Sequence, residues 1–220
     1  MFGIFGCQIS SNFQFIAPQY NGKREIGRTL LIIPLLNDFV EKPSTSSNKE
    51  EQSSILSEQD LLYFYNYISP ALSEQSVSEV WGVDTQFKPK NLRLKPKTLK
   101  TDDEKGLEMF VPDSSVIDYK GKVPDYVLLF QDLFFKKALY EECNGLGKSS
   151  DKKYTMEAGL KYMIWDNKKC QIVAFGKLFQ RVNLFTYPSK QAYIFIIDQF
   201  AATILKHSPL AYKINGSSVF

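Results

Sequence analysis

At 220 residues the chain is long enough to bury a substantial core in one α/β domain with extended appendages. Hydrophobic residues at 44% and aromatics at 14% exclude a wholly disordered chain, whose few apolar groups could not offset the entropy of folding. Lys+Arg of 27 against Asp+Glu of 24 leaves a formal charge of +3, too small a bias to mark a nucleic-acid binder, and no nucleic-acid module is recognisable, so no nucleic-acid partner is expected.

The first residues, Met1–Gln8, hold no apolar run approaching the ~20 residues of a membrane-spanning helix. Ile4–Cys7 nevertheless resembles the end of a bacterial lipoprotein signal, in which a small residue precedes a cysteine that becomes lipidated. Cys7 is therefore a candidate lipid attachment site and the route to a membrane. The alternative reading makes Cys7 a small hydrophobe in a short apolar segment. Phe13–Gln19 is apolar with Pro18 and reads as part of an extended arm over 1–27, a candidate tether.

Arg28–Leu36 is a continuous apolar run whose β-branched content predicts a strand buried on both faces, with Pro34 at its end. Glu41–Ser54 has no large apolar side chain and reads as a mobile insertion. Ser57 followed by Glu58 and Asp60 signals a helix start, and Leu61, Leu62, Phe64, Tyr65 and Ile68 supply its apolar positions. Pro70 is expected to end or kink that helix. The aromatic run Tyr63–Tyr67 suits a helix face packed on a sheet better than a stacking platform for bases or sugars.

Val77–Phe87 alternates enough for a second strand with Trp81 inward. Lys88, Lys90, Arg93, Lys95, Lys97 and Lys100 then crowd a stretch without acids. It reads as a solvated loop in preference to a patch for anionic lipid or polymer, because charges without a scaffold attract weakly and are screened by salt. Thr101–Val123 looks irregular, and 88–123 is taken as a second mobile insertion.

Asp125–Phe135 begins a three-stranded stretch, with Gln131-Asp132 as a bulge or strand end. Tyr140–Lys153 is a polar loop; its Gly145–Ser149 lacks the spacing of a phosphate-binding loop. Residues 154–182 read as a hairpin about the turn Asp166–Lys169, since Asn and Asp tolerate the positive φ of tight turns. Gly159 and Gly176 lie in opposite arms, where they ease twist or admit another backbone. Ser189 should cap a helix to about His207 whose stripe, Ala192, Tyr193, Phe195, Ile196, Phe200, Ile204 and Leu205, lies on the sheet. Pro209 stops it, and 208–220 is a loose tail.

The order predicts an α/β (α+β) two-layer sandwich over 28–207: a mixed sheet of about five strands with a C-terminal antiparallel meander and two packing helices. Leu30–Pro34, Pro124–Leu128, Tyr162–Asp166 with Gly176 beyond the turn, and the helix end Ala202–Leu205 resemble a group of bacterial envelope lipoproteins. Their soluble domains are similar to the curli-secretion channel subunit and to penicillin-binding-protein activator lipoproteins. The resemblance implies a non-enzymatic domain that assembles, activates or tethers partners, a second copy included, on the periplasmic side of the outer membrane, with Cys7 lipidated.

No catalytic constellation appears. Cys7, Cys143 and Cys170 have no metal-like spacing, the single His207 cannot complete a site, and neither cofactor nor metal is expected. Cys143 and Cys170 are read either as a disulfide or as two free thiols. The competing function is a soluble, cytoplasmic enzyme or small-ligand domain using Asp132 and Asp166, which lie at strand or turn ends.

Overall fold

The computed structural model describes residues 9–10, 12–33, 56–83, 92–100, 106–113, 116–141, 152–184, 186–206 and 208–212. Its centre is a seven-stranded mixed sheet made of β1 (Ile9–Ser10), β2 (Phe13–Ile16), β3 (Thr29–Ile33), β4 (Glu79–Trp81), β7 (Tyr126–Glu141), β8 (Lys152–Asp166) and β9 (Gln171–Leu184). The order across it is β1-β9-β8-β7-β3-β4, with β2 following β1 along the same edge of β9. β3 runs parallel to both β4 and β7, while β7, β8 and β9 form the expected antiparallel meander.

Two helices, α1 (Glu58–Gln75) and α2 (Lys190–Leu205), cover one face. α1 starts in a capping box: Ser57 Oγ accepts from the Asp60 N–H, and the Asp60 carboxylate accepts from the Ser57 N–H. Phe64, Ile68, Ala71 and Leu72 point inward, whereas Leu62 is exposed. Pro70 does not end the helix, which continues to Gln75. The aromatic run packs as predicted: Phe64 meets Phe130 edge-on at 5.1 Å and Tyr63 meets Tyr193 of α2 at 4.6 Å. α2 buries its stripe, but Ser189 makes no side-chain cap bond.

The opposite face is covered in part by an antiparallel hairpin, β5 (Leu94–Leu99) and β6 (Leu107–Pro112), inside the 88–123 stretch taken as a mobile insertion. Leu99, Met109 and Val111 pack on Leu31, Ile33, Val127, Leu129, Met163 and Trp165 in a second core. Burial of those side chains holds a strand that its lysines and Pro96 disguise. β7 and β8 also run further than expected, pairing as far as Glu141 with Lys152. The bulge at Gln131-Asp132 is present: the register shifts between Gln131 and Phe134, and Asp132 has φ +52. It switches the helix-facing positions of β7 from Leu128 and Phe130 to Leu133 and Phe135.

The N-terminal arm is extended, but it is not free. β1 and β2 lie on β9 with Ile9 opposite Arg181 and Ile16 opposite Ala174, and Ala17 and Tyr20 reach the core. Gly176 is what admits them: a Cβ there would meet the Phe13 carbonyl oxygen and the Tyr162 ring. At Gly159 the space is taken first by the Phe134 ring and then by the Leu178 carbonyl oxygen of the neighbouring strand. The beginning of the tail is also fixed, because Val77 N–H donates to Leu210 O at 3.0 Å and Tyr212 N–H to Gln75 O at 2.8 Å.

Candidate functional site

Cys7, Glu41–Ser54, Cys143, Gly145–Ser149 and His207 lie outside the described residues. Cys170 is described and is a free thiol, in the turn that closes the hairpin. That turn has its positive φ at Cys170, +52, and not at Asp166 or Asn167. The two predicted turn formers serve through their side chains. Asp166 Oδ1 accepts from the Lys168 and Lys169 N–H groups at 3.1 and 2.9 Å. Asn167, fully buried, binds Ile117 through both N–H and C=O, at 2.7 and 2.8 Å, and donates to Pro124 O at 3.0 Å.

Around this turn, where β3 and β7 begin, the sheet gathers a charged cluster. Asp166 Oδ2 accepts from Tyr20 OH at 2.6 Å and pairs with Lys169 at 3.3 Å. Gln171 donates to the same Tyr20 oxygen at 2.6 Å. Asp125 is held by Lys168 at 2.6 Å, Arg28 at 3.5 Å and the Thr29 N–H at 3.0 Å. Tyr126 OH donates to Glu25 at 2.7 Å, and Arg28 closes the ring to Glu25 at 3.2 Å. A cleft of about 90 Å³ lies between these groups.

Burial alone would raise the Asp125 and Asp166 carboxyls, but their hydrogen bonds and the facing ammonium groups outweigh it and hold both below the ordinary range. Tyr20 is raised, by burial first and then by its bond to Asp166. Three acids thus face Arg28, Lys168 and Lys169 and are neutralised within the cluster. It lies at the amino ends of the parallel strands β3 and β7, opposite the end where open α/β sheets bind ligands.

A second group lies between α1, α2 and β7. Asp60, 4% exposed, accepts from Ser57 Oγ at 2.7 Å and Tyr193 OH, and pairs with Lys137 at 2.9 Å. Burial raises its carboxyl; the bonds from Ser57, Tyr193 and Lys137 overcome that and leave it lowered. Burial and the bond to Asp60 push Tyr193 up to about 12. This group ties the start of α1 to α2 and the sheet.

Asp132 sits exposed on the bulge, paired with Lys161 at 2.6 Å. Lys161 is opposite Gln131 on β8, five residues from Asp166, or roughly 16 Å of strand. The fold therefore does not bring Asp132 and Asp166 together. Among the described residues no cluster of His, Cys, Asp and Glu could hold a metal ion. A cavity of about 430 Å³ opens where α1 and α2 end, bordered by Glu74, Gln75, Thr203, Lys206 and Tyr212. Its Thr203 hydroxyl and Gln75 amide are engaged by the carbonyls of Gln199 and Asp198.

No family model and no curated protein matches the chain. Among solved structures it is similar to a point variant of the PelC dodecamer from Paraburkholderia phytofirmans, with a TM-score of 0.45 at 9% identity over 93% of this chain and 100% of that one. A second PelC dodecamer structure from the same organism gives 0.43 at 9% identity over 90% and 95%.

Tyr20, Glu25, Asp60, Asp125, Lys137 and Asn167 escaped sequence reasoning as interacting groups. Asp60, as an acid in the first turn of a helix, and Asn167, as a turn former, carried local signals, but for other roles. The others meet through the strand order, as Tyr20 and Asp166 do across 146 positions. Chemically these clusters hold ionised acids against cations and phenols and fasten elements to one another.

Proposed function

We propose that the chain is a non-catalytic binding or assembly domain of a bacterial cell envelope, held at the membrane by a lipid on Cys7 and engaging protein partners, a second copy among them. The observation that carries this reading is the use made of the acids in the two charged clusters. Asp60, Asp125 and Asp166 are lowered and fully partnered, the reverse of the raised carboxyl that acid–base catalysis near neutral pH draws on. Such groups support a rigid scaffold for contacts made elsewhere. The anchor rests on the signal-like Ile4–Cys7 and on the path of the arm. With β1 starting at Ile9, two residues after Cys7, a lipid there is within roughly 7 Å of extended chain from the sheet edge.

The test is made in the native host, by membrane fractionation and by mass spectrometry of the N-terminal peptide. Cys7 should carry a diacylglyceryl mass and the chain should leave the membrane only with detergent. An unmodified Cys7 in a chain recovered from the cytoplasm overturns the reading.

A further inference from the structure

The far end of the sheet carries an apolar row that the fold covers only in part, Leu184 packing against the edge of the core. Leu139, Tyr154 and Leu184 are direct cross-strand neighbours on β7, β8 and β9. All three lie on the helix face, in phase with Phe135, Met156, Ala158 and Val182 of the core. The next row inward, Lys137, Met156 and Val182, is covered: Met156 and Val182 are buried and Lys137 reaches Asp60 at the start of α1. Leu139 is 50% exposed, Tyr154 is half-buried, and Tyr187, 64% exposed, meets Tyr154 edge-on at 5.7 Å.

We propose that this end, Leu139, Tyr154, Leu184 and Tyr187, rests on the surface of a phospholipid bilayer. The inference deepens the envelope-anchored reading and rests on it. The chain path points to lipid as the occupant. With Ile9 opposite Arg181 and Ser10 opposite Gln180, β1 enters the sheet from the Leu184 end, the end of the row, and Cys7 precedes Ile9 by two positions in the sequence. The chemistry agrees, since tyrosines with an apolar body and a polar tip collect at membrane interfaces and a leucine beside them enters the acyl boundary. Four side chains, two of them half-buried, present far less than the ~800 Å² per partner that a stable protein interface takes, which argues against a second copy here.

The experiment uses the full chain with Cys7 lipidated behind a standard bacterial lipoprotein signal, whatever the native state of Cys7, so a failure here is separate from a failure of the native anchor. It is reconstituted in phosphatidylethanolamine–phosphatidylglycerol vesicles whose acyl chains are brominated. Tyr187→Trp and Leu139→Trp place reporters in the row, and Tyr212→Trp places one at the opposite end, where α1 and α2 finish. Relative to the parent chain, the emission added at 187 and 139 should be lost to bromine quenching, and that added at 212 retained. All three positions are exposed, so the variants fold, as equal melting temperatures will confirm. Emission retained at 187 and 139, or equal quenching at all three positions, overturns the proposal; protection of 187 and 139 from aqueous acrylamide without bromine quenching would assign the row to a protein contact instead.

Discussion

The side-chain amide of Gln131 donates to the carbonyl oxygen of Phe110 and accepts from its N–H, both at 2.8 Å. One side chain thereby stands in for a strand. Among the described residues β3 pairs with β7 over Tyr126–Leu129, and just beyond it Gln131 bonds across to β6, fastening the hairpin to the sheet. Gln131→Ala should cost roughly 1–3 kcal/mol in urea unfolding, the range for leaving largely buried partners unsatisfied. Gln131→Glu keeps an acceptor but loses the donor and sets a buried carboxylate oxygen against the Phe110 carbonyl, so it should cost more than Gln131→Ala. Hydrogen exchange at Phe110 should quicken in both. An unchanged Phe110 amide would show that the hairpin is held by its apolar face alone.

Asn167 does comparable work at the other end of the second core. It satisfies both backbone groups of Ile117 and the carbonyl of Pro124 while fully buried. Asn167→Asp removes both donors and places a charge against two carbonyl oxygens, so it should destabilise more than Asn167→Ala, which is expected to cost about 1–3 kcal/mol. The difference is read from paired denaturant melts at pH 7. If the two variants melt together, the carbonyls find other donors and the side chain only fills space.

Much of the architecture was legible because its signals are local. The apolar run before Pro34, the helix start at Ser57, the stripe of α2 and the alternation either side of Asp166 depend on neighbours within a turn or a hairpin. The hairpin β5–β6 escaped because Lys95, Lys97 and Pro96 are exposed, and only Leu99, Met109 and Val111 tie it down. The pairing of the extended arm was hidden for a similar reason: what admits Phe13–Ile16 to the sheet is a glycine more than 150 positions away, Gly176 opposite Gln14. The charged cluster was invisible, since Glu25, Asp125 and Asp166 become neighbours only when β3 lies beside β7 and β7 beside β8.

Gly176 lends itself to a direct test of the arm. A methyl group at this position would press on the carbonyl of Phe13, in the half-buried strand β2, and on the fully buried Tyr162 ring, which has no room to move. Gly176→Ala is expected to loosen β2 from β9 before it unfolds the domain. Limited proteolysis should then cut near Phe13–Ile16, and global stability should drop by about 1–3 kcal/mol, the usual cost of overpacking. Resistance to cleavage equal to the parent would mean that the strand adjusts in place.

Stability should depend on pH through Asp60 and its partners. The folded-state carboxyls of Asp60, Asp125 and Asp166 are held below the ordinary value of 3.8, so their contribution is complete above that value and is lost as pH falls through their folded range. Acid unfolding should therefore steepen below about pH 4. Tyr193 has the opposite sense. Raised from 10.0 to about 12, it favours the folded state below pH 10, and that advantage disappears as pH rises toward 12. Asp60→Asn should lower stability by about 2–4 kcal/mol at neutral pH, because it leaves Lys137 without its anion and weakens the Ser57 cap. The same variant should flatten the acid limb relative to the parent, since one carboxylate no longer takes up a proton on unfolding. Asp132→Asn, which removes an exposed pair with Lys161, should leave that limb almost unchanged and serves as the control. Equal acid limbs in Asp60→Asn and the parent would place the proton-linked stability in Asp125 and Asp166 instead.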